Sequence, residues 1–558
     1  MPRSSLPQDI VLLLCQELAF RCDFATLFQC SLVSRRVASL AIEQLYGVQE
    51  LSPINQPETF SLKKLARLWR SILLSSIGQT IYPYCTYIRS LSLGNYGSLL
   101  EDIWNNKDVT LLEPQDEIKQ FVVLRGNQTL KRPTRSQAMP LFDFQQSMIE
   151  AGEAITQCVK QAADQTETSV TLVHLEVTMI PREILPVWLT RLPSLQSLHL
   201  QDGSSLTAEA ASAIAQWCPK FSEFRCLTCR GDEIDENVAR FFQILRPNTL
   251  QCFEIISFND IGEQTLIALN AHAVSLKVLT LGSLPGAVMS SLNVLPACVA
   301  LESLSLESQR HNPCDLAGNE TVLKEIASWI QNCTKLRNLT LTNIRDGLLV
   351  VKDVLNSPGI RLRALDLQGF SSHGEEVDVA AWKALAQQDE LEDLAIGGLD
   401  GMPDALIIHE TPPLAESICK LNNLKSLDLK RASVRAIELR KIIMALPALT
   451  NLSFGGDWID DQILESLGTI RHLQNLLVNA LSVFTFEGLQ TFAQNLDPER
   501  QKGIVVEINN QIGNWKFNED EEAWLVSHFV NVLGGRIDIG VFKDPDEAHE
   551  GDFSSDSD

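Results

Sequence analysis

Cys226-Leu-Thr-Cys229 is the one spacing in this 558-residue chain that suggests chemistry by itself. Two cysteines separated by two residues supply half of a tetrahedral zinc site, or a dithiol for redox exchange. Zinc needs two further ligands, for which Cys218 and Cys252 are the conceivable thiols. A redox Cys-x-x-Cys would want its pair at a helix N-terminus, one of the settings that stabilise a thiolate. Cys226 instead closes a Phe221-x-x-Phe224-x-Cys226 hexapeptide, whose last side chain should face a core, so packing is the expected role. The chain's thirteen cysteines are odd in number and scattered, and they read as small buried hydrophobes of a reducing compartment. The nine histidines are equally scattered, and no phosphate-cradling glycine loop, nucleophile elbow or His-Glu-x-x-His pair occurs. The expectation is a chain with no catalytic residue, no metal and no cofactor.

The elements around those residues repeat. Leu195-x-x-Leu198-x-Leu200 returns at Leu276, Leu301, Leu336, Leu362 and Leu424, with degenerate copies starting at Phe221, Leu250, Leu391, Leu449 and Leu473. These eleven copies lie about 28 residues apart, which marks a stack of like units. Side chains alternate along a strand, so positions four and six of each hexapeptide face the core and position five faces out. Between the hexapeptides the apolar spacing turns helical, as in Val322-Ile326-Ile330 and Leu439-Ile443-Leu446. One strand-turn-helix unit cannot bury its apolar side; a stack of them can. The pattern resembles the long-repeat, ribonuclease-inhibitor-like branch of the leucine-rich repeat family. That implies an α/β solenoid, a horseshoe of parallel strands and helices. The ninth position, usually Asn or Cys in the family, holds Gly203, Leu284, Gln309, Ile344, Phe370, Ala432 and Asp457, so no regular side-chain ladder is expected there.

The first fifty residues follow another pattern: Leu6-Pro7-Gln8-Asp9-Ile10, Leu13-Leu14, Leu18, Asp23-Phe24-Ala25-Thr26-Leu27, then Ser31-Leu32-Val33-Ser34-Arg35-Arg36-Val37. Pro7 sits where a first-turn proline is tolerated, and Asp23 has the position of a helix cap. The six-residue apolar run Ile10–Cys15, flanked by Asp9 and Glu17, is too short for a signal-peptide core. Residues 4–45 resemble an F-box, with Asp9 in place of glutamate and Val37 where the family mostly carries tryptophan. The resemblance implies a small all-α module that docks a Skp-type adaptor through Leu6, Pro7, Ile10, Leu14, Leu18, Leu27, Val33 and Val37, and through it a cullin. Expected boundaries are 1–50 for this module; 51–165 for a linker helix, an isolated strand in the hexapeptide Ile88–Leu93 and a mobile polar insert at 101–135; 166–542 for the solenoid and its cap; and 543–558 for an acidic, disordered tail.

The net charge is −24, and seven Asp/Glu with no Lys or Arg fall between Asp544 and Asp558. Such a surface disfavours nucleic acid and anionic membrane as partners. Outward positions Glu307, Asp366, Asp393 and Asp428 are expected to converge into an acidic patch for a basic segment of a target protein. Taken together, the resemblance implies a non-enzymatic substrate-recognition subunit of a cullin-based ubiquitin ligase, working in the cytoplasm or nucleus. The rival is an adaptor-free binding scaffold or inhibitor whose first helices only cap the solenoid. Activation of a small GTPase is a weaker third, because no catalytic Asn or Arg stands out.

Overall fold

The computed structural model describes residues 6–48, 62–106, 118–125, 141–310, 312–316, 319–399, 406–510 and 517–541. The chain divides into two units, 1–276 and 277–558. Both hold α/β leucine-rich-repeat stacks, and the first unit begins with three short helices.

Those helices are α1 (Gln8–Phe20), α2 (Phe24–Ser31) and α3 (Arg35–Val48). Pro7 stands just outside α1 rather than in its first turn. Asp23 caps α2 as its position predicts, its Oδ1 accepting from the Thr26 N–H at 3.0 Å. One buried cluster of the bundle is Cys15, Ala19, Leu27 and Ala41, with Val11, Leu18 and Leu45 packed around it, and Ala38 and Ile42 of α3 are buried as well. A core this small is marginal alone. The following helix α4 (Leu62–Ser76) is the expected amphipathic one and buries Leu65, Trp69, Ile72 and Leu73. Trp69 donates its indole N–H to Asn95 Oδ1 at 2.7 Å, fixing α4 against the start of the repeats.

In the first unit the strands are β1 (Ser90–Ser92), β2 (His174–Val177), β3 (Ser197–Asp202), β4 (Glu223–Thr228) and β5 (Cys252–Ile255). They pair in parallel in chain order, with Leu91, Leu175, Leu198, Phe224 and Phe253 as one inward rung. The strand expected to be isolated is therefore paired: β1 is the first rung, although more than eighty residues separate it from β2. Its hexapeptide is regular; what hides the pairing is the length of chain before the next one. The expected insert at 101–135 also begins as structure, since 101–105 belong to the helix Leu93–Asn105. Phe121 is buried near it, and its carbonyl accepts from the Tyr96 hydroxyl at 2.7 Å. The remainder of that expected loop, 107–117 and 126–135, and the acidic tail lie outside the described residues.

The second unit holds β6 (Val278–Leu284), β7 (Ser303–Ser308), β8 (Asn338–Thr342), β9 (Ala364–Phe370), β10 (Asp393–Gly398), β11 (Leu406–Ile407), β12 (Ser426–Leu429), β13 (Ala432–Ser433), β14 (Asn451–Ile459), β15 (Asn475–Ser482), β16 (Val505–Asn510) and β17 (Arg536–Val541). The short strands β11 and β13 pair with each other, and the rest form one parallel ladder. From β7 to β17 the fourth-position rung runs Leu304, Leu339, Leu365, Leu394, Leu427, Leu452, Leu476, Val506 and Ile537, all buried. A polar ladder exists in part, one position earlier than the family's: Asn343 Nδ2 reaches the Ser308 carbonyl at 3.5 Å, and Asn510 Nδ2 donates to the Ser482 carbonyl at 2.7 Å.

A second device ties neighbouring repeats. Asp235, in the first turn of the helix Ile234–Ile244, accepts from the Gly262 and Thr265 N–H groups at 2.7 and 2.9 Å, capping the next helix, Glu263–Leu269. Gly262 has to lack a side chain, because a Cβ there would lie 2.5 Å from an Asp235 oxygen. Asp461, at the start of the helix Asp461–Leu467, does the same for the helix Phe486–Asn495, accepting from the N–H and hydroxyl of its cap Thr485 at 2.9 and 2.6 Å. Free donors at a helix start are satisfied here from the preceding repeat.

Candidate protein-docking site

On α1 the apolar residues occupy more of the circumference than one buried face needs. Val11, Cys15, Leu18 and Ala19 turn inward, while Leu6, Ile10, Leu13 and Leu14 remain 58, 42, 59 and 51% exposed. Ile10, Leu13 and Leu14 follow helical spacing along the other side of the helix, and Leu6 stands just before its cap, Pro7. Phe28, Leu32 and Val33 are also exposed, at the end of α2 and the turn into α3. A small module with this much apolar side chain in water has the property of a protein-binding surface. Of the expected adaptor contacts, Leu6, Pro7, Ile10, Leu14 and Val33 lie on the surface and Val37 is half-buried. Two need correction. Leu27 is fully buried, because Asp23 caps α2 so as to aim it into the core, and Leu18 packs against that same core. Leu13, Phe28 and Leu32 are exposed residues that sequence reasoning passed over. The signal was there in Ile10-Val-Leu-Leu-Leu14, a helical run apolar on both sides, which calls for cover on both sides.

On the outward strand face of the first unit, position five forms a row of titratable side chains in register: Glu176, His199, Arg225 and Glu254. Arg225 Nε sits 2.7 Å from Glu254 Oε2. Burial holds His199 below the usual imidazole range, against the pull of Glu176.

In the second unit the expected acidic patch is a mixed cluster. Gln368 donates to Asp366 Oδ1 at 2.9 Å and accepts from Arg431 Nη1 at 3.2 Å, while Lys430 Nζ lies 2.9 Å from Asp428 Oδ2. Burial raises the carboxyl of Asp366 above the ordinary range, Asp428 adds to the shift, and Arg431 and Lys430 oppose it. Glu307 is raised by burial too, with Asp366 contributing and Arg431 opposing. Asp393 does not share this field: burial and Glu392 raise it, and Lys425 opposes. Three of the four acids therefore come together, and two cations stand among them. Arg431 reaches in because Gly397 leaves the space, a Cβ there falling 2.5 Å from the Arg431 Cβ. Nothing in the repeat pattern marks that glycine and arginine as a pair.

Cys226 and Cys229 are both fully buried, with Gly203 against their sulfurs. No group of three metal-ligating side chains occurs among the described residues, and none of their helices is long and apolar enough to cross a membrane. A cavity of about 400 Å³ between Phe370, Trp382, Leu406 and Pro412 carries Glu375, Asp378 and Glu410, and neither His nor Cys lines it.

No protein-family model and no curated protein sequence matches the chain. Among solved structures, it is similar to the Rad7 and Elc1 complex in yeast at 12% identity and a TM-score of 0.38, covering 76% of this chain and 94% of that one. An internalin, InlF of Listeria monocytogenes, aligns at 15% identity and TM-score 0.34 over 62% of this chain and 93% of that one. TLR13 in complex with single-stranded RNA aligns at 13% identity and TM-score 0.29, over 62% and 57%. At such values the likenesses carry no functional argument. The repeat fold rests on the chain's own strand register.

Proposed function

We propose that the chain is the target-recognition subunit of a cullin-based ubiquitin ligase. In this reading α1 to α3 act as an F-box, dock a Skp-type adaptor through their exposed apolar residues, and so join a cullin. The outward strand face of the repeats holds the target. The subunit contributes proximity, because a bound target meets the transferring enzyme at high effective concentration. One observation carries the reading: Leu6, Ile10, Leu13, Leu14 and Val33 are left in water by a bundle whose own buried residues are few and mostly small. Helices serving only as a cap would turn that apolar side onto the repeats and keep a polar one outside. The target face, with Asp366, Asp428 and Glu307 offset by Arg431 and Lys430, suits a partner of mixed charge better than a purely basic one. The test is capture of purified Skp-type adaptor by the full chain and by the variant Ile10→Ala/Leu13→Ala/Leu14→Ala. Capture by the native chain alone supports the reading; absence of capture by either refutes it and leaves a repeat scaffold.

A further inference from the structure

Cys85 and Cys158 are 73 positions apart in sequence, yet their sulfurs stand 3.3 Å from each other. Cys85 lies in the short turn Tyr84–Thr86, fully buried, where its N–H donates to Ser75 Oγ at 3.1 Å and the Ser75 hydroxyl reaches its sulfur at 3.4 Å. Cys158 lies on the long helix Phe144–Thr166 and is partly exposed. The core cysteines of the repeats, such as Cys226, Cys298 and Cys333, have no comparable opening to solvent. We propose that Cys158 and Cys85 form a reversible disulfide site, with Cys158 the thiol that meets the oxidant and Cys85 the thiol that resolves it.

The oxidant is a peroxide. The Cys158 thiolate attacks one peroxide oxygen, the O–O bond breaks, and Cys158 becomes a sulfenic acid as hydroxide leaves. The Cys85 sulfur then attacks the Cys158 sulfur; the S–S bond forms, the S–OH bond breaks, and the Cys85 proton leaves with the hydroxyl as water. Overall, two thiols and one hydrogen peroxide give one disulfide and two waters, each sulfur giving up one electron. The local environment separates the two roles. The hydrogen bond between the thiols brings Cys158 down to about 7, while the same bond and burial push Cys85 far up, so the exposed sulfur is the ionised one near neutrality.

The bond would cross a junction of the first unit. The turn bearing Cys85 touches α3 through the stacked rings of Tyr46 and Tyr84, 4.9 Å apart, and α4 through Ser75. Closing it onto the helix Phe144–Thr166 fastens the base of the N-terminal helices to the first repeats. The chemistry is independent of whether those helices bind an adaptor.

The experiment treats the full-length reduced protein with a few equivalents of hydrogen peroxide, maps its peptides without reduction, and repeats this with Cys85→Ser, Cys85→Ala and Cys158→Ser. The expected result is a cross-linked pair containing Cys85 and Cys158, reversed by dithiothreitol. An increase of about 5 °C in the melting temperature should accompany it, from closure of a long loop. Both Cys85 variants should instead give a Cys158 sulfenic acid trapped by dimedone, and Cys158→Ser should give neither product. A dimedone adduct accumulating on Cys158 in the native chain, a cross-link through other cysteines, or an unchanged melting temperature on cross-linking would overturn the proposal.

Discussion

Changing Ile10, Leu13 and Leu14 together to alanine separates docking from folding, because these side chains are 42, 59 and 51% exposed. About half of each is already out of water through contacts inside the bundle, and a partner would cover the other half. Complete burial of an Ile or Leu side chain contributes about 1.5–3 kcal/mol, so the uncovered half is worth about 1 kcal/mol per residue. Three such losses come to about 3 kcal/mol, or roughly a 100-fold rise in Kd for a Skp-type adaptor. Binding is measured by calorimetry or interferometry with purified adaptor, and helix content by circular dichroism on the same samples. The expected pattern is a Kd raised about 100-fold with helicity at 25 °C preserved. A change under 3-fold would refute the assignment of this face, and so would loss of binding matched by an equal loss of helicity.

Leu27→Ala should act in the opposite order: as a fully buried core residue it should destabilise the three-helix module by about 2–4 kcal/mol, seen as faster hydrogen exchange across 8–48, with adaptor binding lost only as a result. Asp366→Asn tests the raised carboxyl in the second unit. An acid whose folded pKa is raised costs no stability below its unfolded value, about 3.9, and weakens the fold as pH rises through the folded value. The variant should therefore melt higher than native at pH 7 and level with it at pH 3; a constant difference would show that Asp366 is not perturbed. Asp461→Ala should cost about 1 kcal/mol by removing the acceptor for Thr485, read as a lowered urea midpoint. An unchanged midpoint would mean that water replaces it fully.

The repeats were legible because every rung obeys one local rule. A leucine at position four faces inward whatever its neighbours do, so Leu304 to Leu476 could be placed from spacing alone. Pairing across a long gap follows no local rule, which is why β1 read as isolated. The N-terminal helices show a different limit. Where both sides of a helix are apolar, as at Ile10–Leu14, periodicity cannot tell which side meets its own chain; on α2 the same question arises for Leu27 and Phe28, and it is Leu27 that is buried. The target face failed similarly: the acids were visible at outward positions, but Arg431 enters from beyond the strand through space that Gly397 leaves. Whether a patch carries bare or balanced charge depends on contacts between repeats.

The carboxylates of Asp235 and Asp461 reach forward to the next repeat, whereas Asp260 and Asp346 reach back to the one before. Asp235 and Asp461 each help hold the helix that follows in the chain. Fraying that starts at the C-terminal end removes the supported helix and leaves the repeat that supplies the carboxylate in place; damage entering from the other side strips the acceptor its successor needs. At the Asp461 junction unravelling should therefore spread more readily toward the C-terminus than back. Synthesis runs the same way: when the helix Phe486–Asn495 leaves the ribosome, Asp461 is already in place to receive its first turn. The order of translation and the order of support coincide there, and exchange labelling of Asp461→Ala should expose 486–495 while 461–467 stays protected.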